Sequence, residues 1–387
     1  MDTITVGIEF VPSNAFGRAF IEGASAYAAQ RRNWKFLAIR QSDVSKATFR
    51  RCNGVIMRVL NDRTERLARE SDCQLVDLYC SKQRLGIGQI TSDDRAAGRL
   101  AAELFLSRGF SHFAYCGINA LAYSDLAFLS FAQQISASGH EVHQYGPPKS
   151  LRGPTVFDDG SPDKVPDLIE LKRWLKTLPK PTAIFCCNDH RAYQVLIAAL
   201  QIGLDIPHDI SVLGCDNDAT ICSFAPVPLS SIDPDAHAVG FTAARMLDAM
   251  IQASPKRKPH RIVAIPPKGL VERTSTECAP FEPPWLAEAI LEIDRELANG
   301  ISAEHIFKLS QHSPPYVEKV FRKKLNMSVQ SYITQRRLQK ATKLLSNTAL
   351  SIKAVAAESG YSSVQYFCRV FKAHFGKTPQ TYFTSIT

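Results

Sequence analysis

Short apolar runs alternate with longer amphipathic stretches through the first 276 residues. Ile4–Phe10, Trp34–Ile39, Gly54–Val59, Gln74–Leu78, His112–Cys116, Ala183–Cys187, Ile210–Cys215 and Arg261–Ile265 have the length and apolar character of strands. Phe16–Gln30, Asp93–Arg108, Leu126–Ala137, Leu168–Leu178, His190–Ile202 and Asp235–Ile251 read as the helices between them. Strands alternating with helices of this length imply βαβ units and a mostly parallel, helix-covered sheet. One such sheet would be large for 276 residues, so two linked α/β lobes are expected, with Tyr145–Pro166 as a surface excursion. Glu277–Pro284 then carries three prolines in eight residues and can continue neither a helix nor a central strand. It reads as the start of a linker (277–285), after which the pattern is helical to the end.

That helical region repeats itself at an offset of fifty. Val320-Phe321-Arg322 meets Val370-Phe371-Lys372, and Ser328-Val329-Gln330-Ser331-Tyr332 meets Thr378-Pro379-Gln380-Thr381-Tyr382. Ser313 and Tyr316 pair with Ser363 and Tyr366 ahead of the same block. Two short, helical, basic copies point to two helix-turn-helix units, each offering one helix to a DNA groove. In the first, Ser302 and Ser313 are N-cap candidates and Pro314 sits where its missing N–H costs nothing, with Val317, Val320 and Phe321 facing inward. In the second, Ile352, Val355 and Ala356 face inward, Gly360 makes the turn, and Phe367, Val370 and Phe371 anchor the next helix. The positions left to reach DNA are Pro315, Glu318, Lys319, Arg322 and Lys323 in the first unit, and Ser363, Val364, Gln365, Arg369 and Lys372 in the second. A long helix over Ser331–Leu345, bearing Arg336, Arg337, Lys340 and Lys343, joins them.

Charge sharpens this picture. The net charge is +9, but residues 300–387 hold 13 basic and three acidic residues, whereas residues 1–299 hold 33 and 34. A basic domain on a near-neutral body is the electrostatic footprint of nucleic-acid binding. The ten cysteines show no CxxC and no Cys/His ligand spacing, so reduced thiols, no metal and no cofactor are expected. The start of the chain lacks a signal-peptide pattern and no run approaches a membrane span, so a cytoplasmic protein without a membrane partner is expected. No GxxxxGK[ST], GxSxG or HExxH motif supports an enzyme.

The segments SIKAVAAESGYSSVQYFCRVFKAHFGKTPQTY (351–382) and SPPYVEKVFRKKLNMSVQSYITQRRLQKATKLL (313–345) resemble the AraC/XylS DNA-binding domain over about 100 residues. One departure is Phe307, where that family usually has a small residue. The segment AIFCCNDHRAYQVLIAALQIGLDIPHDISVLGCDND (183–218), with PLSSIDPDAHAVGFTAARMLDAM (228–250) and VERTST (271–276), resembles the periplasmic-binding-protein type I sensor of LacI/GalR repressors. The resemblances imply an α/β two-lobed sensor over 1–276 and an all-α DNA-binding domain with two helix-turn-helix units over 286–387. The implied function is ligand-responsive activation of sugar-utilisation genes, with xylose one candidate effector; the alternative is a cytosolic repressor of similar architecture answering a non-pentose ligand. The implied partners are double-stranded DNA, a small-molecule effector, RNA polymerase and a second copy of the chain.

In such a fold the ligand sits where the C-terminal ends of the strands face a cleft. Asn188-Asp189 and Asp216-Asn217 follow two of the strands, and carboxylates and amides suit a polyol because they accept hydroxyl hydrogen bonds in fixed geometry. Across the cleft Ser13, Asn14 and Arg18 follow the first strand and Arg58 and Asn61 the third, and Phe10 or Phe16 is placed to stack on a sugar face. Asp93 or Asp94 is expected to cap the helix behind it. Sensors of this kind usually carry a sugar-gripping arginine near the start of the helix at 126–137, where this chain has Ala127.

Overall fold

A computed structural model describes residues 3–11, 14–31, 33–84, 86–118, 121–146, 167–252, 262–347 and 350–386. Ser13, most of the Tyr145–Pro166 excursion and the basic run 255–260 lie outside the described residues. The chain divides into two compact units, residues 1–106 with 111–276, and residues 277–387 with the short segment 107–110.

The first unit holds two six-stranded sheets. One comprises β1 (Ile4–Glu9), β2 (Trp34–Ile39), β3 (Gly54–Met57), β4 (Gln74–Asp77), β5 (Gly88–Ser92) and β11 (Ile262–Ile265), in the order β11-β5-β4-β3-β1-β2. The other comprises β6 (Phe113–Cys116), β7 (Val142–Gln144), β8 (Thr182–Cys186), β9 (Ile210–Cys215), β10 (Ser230–Asp233) and β12 (Gly269–Val271), in the order β12-β10-β9-β8-β6-β7. Every pairing is parallel except β10 with β12. The chain crosses between sheets after β5, after β10 and after β11, so three strands of chain form the hinge.

Parallel strands need crossover helices, and these bury the faces of both sheets. The helices are α1 (Ala15–Ala28), α2 (Lys46–Arg50), α3 (Asp62–Glu70), α4 (Asp94–Ser107), α5 (Ala122–Ala137), α6 (Leu168–Thr177), α7 (Asp189–Leu200), α8 (Ala219–Phe224) and α9 (Ala236–Gln252). Helices α1 and α9 pack through glycines: a Cβ on Gly23 would fall 1.9 Å from the His237 carbonyl oxygen, and one on Gly240 1.9 Å from that of Phe20. Val6, Ile56, Val76, Ile90 and Leu247 fill the first core, and Ile184, Val195, Ile210 and Val212 are among those filling the second.

The expected strands and helices are all present within a few residues of their anticipated ends. Four strands and three helices went unread: β5, β7, β10, β12, α2, α3 and α8. β10 reads Ser-Ser-Ile-Asp, which carries no apolar pattern; it is a strand because β9 and β12 pair with both its edges.

In the second unit, α10 (Pro284–Glu296), α11 (Ala303–Ser310), α12 (Pro314–Leu325) and the first half of α13 (Val329–Asn347) enclose one core around Ile290, Val317, Phe321 and Ile333. The second half of α13, α14 (Ile352–Glu358), α15 (Val364–Phe375) and α16 (Pro379–Ile386) surround another, around Leu345, Val355, Phe367 and Phe371. The stretch read as a free linker is partly committed: Ala279 is buried in the first of these cores and Phe281 packs against it. Phe307 likewise packs on that core, so the bulky residue there is accommodated.

Candidate functional site: a cavity between two sheets and a doubled helix-turn-helix

A cavity of about 310 Å³ opens between the two sheets of the first unit, walled by the residues that follow their strands. β3 supplies Arg58, β4 supplies Leu78, Tyr79 and Cys80, and β5 leads into Asp93 and Asp94. From the other sheet, β8 supplies Cys187 and Asn188, β9 ends in Cys215 and leads into Asp216, and Pro234 follows β10. Asn14 and Phe16 from α1, and Ala122, Tyr123, Leu126 and Ala127 from α5, complete much of the wall. The volume fits one small molecule, and the mix of apolar walls with a few convergent polar groups is that of a ligand site.

Several polar groups here are already fixed by the fold. Asn14 caps α1, its side-chain oxygen accepting from the Gly17 N–H at 2.7 Å. Asn188 caps α7 by accepting from the Arg191 N–H at 2.8 Å, and its amide donates to the Tyr123 hydroxyl at 3.3 Å. Arg58 is held by the buried Glu9, with Nη2 3.1 Å from Oε1 and the Arg58 N–H 2.7 Å from Oε2. Asp216 adopts φ +116° and Asn217 φ +47°, backbone conformations that L residues reach only at a cost and that cluster at functional sites. Asp94 sits at the first turn of α4, accepting from the Ser92 hydroxyl at 3.1 Å; burial pushes its carboxyl up to about 7, and neighbouring Asp93 adds to the shift. Asp93, not Asp94, caps α4, accepting from the Ala96 N–H at 2.9 Å.

Three sequence-based ligand candidates are placed elsewhere. Asp189 is fully buried behind the wall, and protein donors occupy both its oxygens: the Ser231 hydroxyl at 2.6 Å on Oδ1, and the Asp218 N–H at 2.7 Å with the Cys222 thiol at 3.5 Å on Oδ2. Burial raises its carboxyl to about 7. Its task is to tie β10 and the β9–α8 turn to α7. Asn217 turns away from the cavity, its side-chain oxygen accepting from Arg273 at 2.9 Å. Arg18 does not line the cavity either; its guanidinium donates to Asp218 Oδ2 at 2.8 Å, joining α1 behind the first sheet to the N-cap of α8 beside the second. Of the other candidates, Phe16 lines the cavity, while Phe10 does not and Asn61 caps α3 through the Thr64 N–H at 3.2 Å. Asp94 was passed over as a capping residue, and nothing in the adjacent pair Asp93-Asp94 tells which of the two faces inward.

The second unit carries the other site. The fifty-residue repeat is a repeat of structure down to its turns. Asn326 and Gly376 end α12 and α15 in the left-handed conformation at φ +57° and +71°. Ser328 and Thr378 then accept from the N–H groups of Ser331 and Thr381 at 3.1 and 3.2 Å. Along α12, Pro315, Lys319, Arg322 and Lys323 are exposed, while Glu318 is half-buried beside Arg322, 3.9 Å apart. Along α15, Gln365, Arg369 and Lys372 are exposed, and Ser363 is half-buried as the N-cap, accepting from the Tyr366 N–H at 3.3 Å. Val364 is not outward: it packs against the second core with Cys368, because the N-terminal turn of α15 leans on that core. Tyr316 and Tyr366, equivalent in the repeat, are 44% and 46% exposed, and Arg369 lies over the Tyr366 ring at 5.2 Å. Exposed aromatics at matching places on both helices were visible in the repeat but were not read as surface groups.

Within residues 277–387, the second helix-turn-helix copy is bound to the helices of the first. A Cβ on Gly360, at φ +80°, would lie 1.8 Å from the Leu297 carbonyl oxygen, so the turn of the second helix-turn-helix copy rests on the end of α10. Arg337 donates to the Ile301 carbonyl at 2.8 Å while its guanidinium lies 5.6 Å from the centre of the Tyr361 ring. Arg336 pairs with Asp294 at 2.7 Å. These two arginines of the long helix hold the domain together; the Lys343 side chain lies outside the described residues.

Fold and sites together define a two-lobed binding module joined to a doubled helix-turn-helix module. Residues 102–276 match the periplasmic binding protein-like domain, and residues 309–385 match a helix-turn-helix domain. The chain is 30% identical over 212 residues to the xylose operon regulatory protein of Escherichia coli (strain K12), covering 55% of this chain and 54% of that protein. It thus spans about half the length of that curated relative. The protein of the same name from Haemophilus influenzae is 25% identical over 296 residues, covering 76% of this chain and 74% of the relative. A solved structure described as the xylose-binding transcription activator xylR is similar over 100% of this chain and 99% of its own, with TM-score 0.61 and 23% identity. A LacI family regulator from Enterococcus faecium with bound ribose is similar over 72% of this chain and 100% of its own, with TM-score 0.59 and 19% identity. The expected two-lobed periplasmic-binding-protein-like sensor and helix-turn-helix reader therefore hold at the level of fold and domains. Among the described residues no helix is long and apolar enough to cross a membrane.

Proposed function

We propose that this chain is a sugar-responsive, sequence-specific DNA-binding regulator that activates sugar-utilisation genes, and not an enzyme. The observation carrying this reading is the pairing of a ligand-sized cavity at strand C-termini with a basic, doubled helix-turn-helix in one chain. The sugar occupies the cavity among Asp94, Asn188, Asp216, Asn14 and Arg58, with Phe16 against an apolar face of its ring. Binding closes the hinge, and the Arg18–Asp218 bridge adds to the closed form because its partners sit on opposite lobes. The second unit lays α12 and α15 in successive major-groove faces, roughly one helical turn apart. The protein works in the cytoplasm as a homodimer on double-stranded DNA, together with RNA polymerase.

The xylose operon regulatory proteins to which the chain is similar support xylose as the effector. Ala127 in the cavity wall favours the second reading, a regulator of the same architecture answering a different sugar, since the resemblance implies an arginine there. A thermal-melting screen of the full chain against pentoses, hexoses, sugar acids and sugar phosphates tests both, because a ligand of the folded state raises the melting point by mass action. A shift with xylose alone selects the first reading, a shift with another sugar selects the second, and none at all overturns the sugar assignment.

A further inference from the structure

We propose that Asp94 is a specificity-determining residue of the cavity, its buried carboxyl receiving a hydrogen-bond donor of the effector, so that neutral or amine-bearing sugars bind and sugar acids and sugar phosphates are rejected. This rests on the reading that the cavity holds a sugar.

The argument begins with what surrounds that carboxyl. Asp94 lies in the wall where β5 runs into α4, where its carboxylate accepts from the Ser92 hydroxyl. Asp93 is its neighbour on the same turn, and Asp216 lines the same cavity from the end of β9. The thiols of Cys80 and Cys215 also line this wall, and burial keeps both protonated. Three cations stand near it: Arg58 is tied to Glu9, Arg99 pairs with Asp93 at 3.6 Å, and Arg95, on the same turn, lines the cavity with its side chain exposed to solvent. Ala127 supplies no charge where the resemblance implies an arginine.

A buried carboxylate is costly, and burial has moved this one up to about 7. A ligand hydroxyl or ammonium set against it donates to the ionised form and lowers that value. A ligand carboxylate or phosphate in the same place would put like charges together in a low dielectric. Binding is therefore coupled to proton loss: affinity is complete above pH 7 and weakens as the pH falls through 7 toward 5.

The test is calorimetric titration of the full chain with D-xylose, D-glucose, D-glucosamine, D-glucuronate and D-glucose 6-phosphate at pH 5.5, 7 and 8.5. Wild type, Asp94→Asn and Asp94→Ala are compared. A neutral or amino sugar should bind tightest, with affinity at pH 5.5 about tenfold or more below that at pH 8.5, in line with the strength of charged hydrogen bonds. Asp94→Asn should flatten this profile, and Asp94→Ala should weaken binding at pH 8.5 by about tenfold. Melting of the ligand-free Asp94→Asn protein shows whether it is folded; losing a buried charge should not lower it. A profile unchanged in Asp94→Asn, or glucuronate or the phosphate binding tightest, overturns the proposal while leaving a sugar sensor. If no sugar of any charge binds, the sugar reading itself falls and takes the proposal with it.

Discussion

Replacing Asp189 should damage the sensor's stability rather than its choice of ligand. In Asp189→Ala the Ser231 hydroxyl, the Asp218 N–H and the Cys222 thiol lose their acceptor inside a region closed to water. A buried donor left without a partner costs about 1–3 kcal/mol. The Ser231 hydroxyl can turn toward the Ile232 carbonyl, already 3.5 Å away, and the thiol is a weak donor, so the backbone N–H dominates. A net loss of roughly 2–4 kcal/mol follows, and at about 2–4 °C per kcal/mol for a domain of this size the melting point falls by roughly 5–15 °C. The loss also depends on pH. The folded carboxyl sits at about 7, above its unfolded value, so the stability it contributes is present in acid and disappears as the pH rises through 7. The gap between wild type and variant should therefore be wider at pH 5 than at pH 8. Asp216→Asn is the counterpart: the Asp216 N–H bond to the Ile232 carbonyl at 2.9 Å survives, melting stays within about 2 °C, and sugar affinity falls tenfold or more. Differential scanning fluorimetry and calorimetric titration on both variants decide it. If Asp189→Ala melts like wild type but no longer binds sugar, the structural role assigned to Asp189 is wrong.

Three further outcomes are expected. Gly360→Ala, which puts a methyl 1.8 Å from the Leu297 oxygen at φ +80°, should abolish operator binding in a gel-shift assay, whereas Gly376→Ala, at φ +71° in open space, should cost only about 1 kcal/mol; equal effects would refute the close-packing argument. Alanine at Lys319, Arg322 or Arg369 should each weaken DNA binding and lower the salt slope by about 0.9 where a phosphate contact is lost; an unchanged slope removes that residue from the interface. Arg18→Ala, half-exposed in its bridge to Asp218, should change the melting point by no more than about 1 kcal/mol equivalent yet weaken sugar affinity, and unaltered affinity would remove the bridge from lobe closure.

The sequence by itself determined the architecture. Apolar runs placed eight strands and six helices of the sensor because burial against crossover helices imposes that pattern on the chain. The fifty-residue repeat with its segregated charge placed the DNA reader for an equally local reason, since caps, turns and a helical period are written in adjacent residues. What the tertiary structure alone decided lies between distant segments. β10 carries no strand pattern and exists because two neighbours pair with it. Asp93 and Asp94 are interchangeable on paper and both line the cavity, and the packing of α4 makes Asp93 the cap and leaves the Asp94 carboxyl to the Ser92 hydroxyl. Asp189 follows a strand just as a ligand residue would, but Ser231, Asp218 and Cys222, 42, 29 and 33 residues away, reach it first. Arg336 and Arg337 are adjacent charges on one helix, and only the fold gives the first to Asp294 and the second to the Ile301 carbonyl. A side chain's type limits what it can do, and its long-range partners settle which of those things it does.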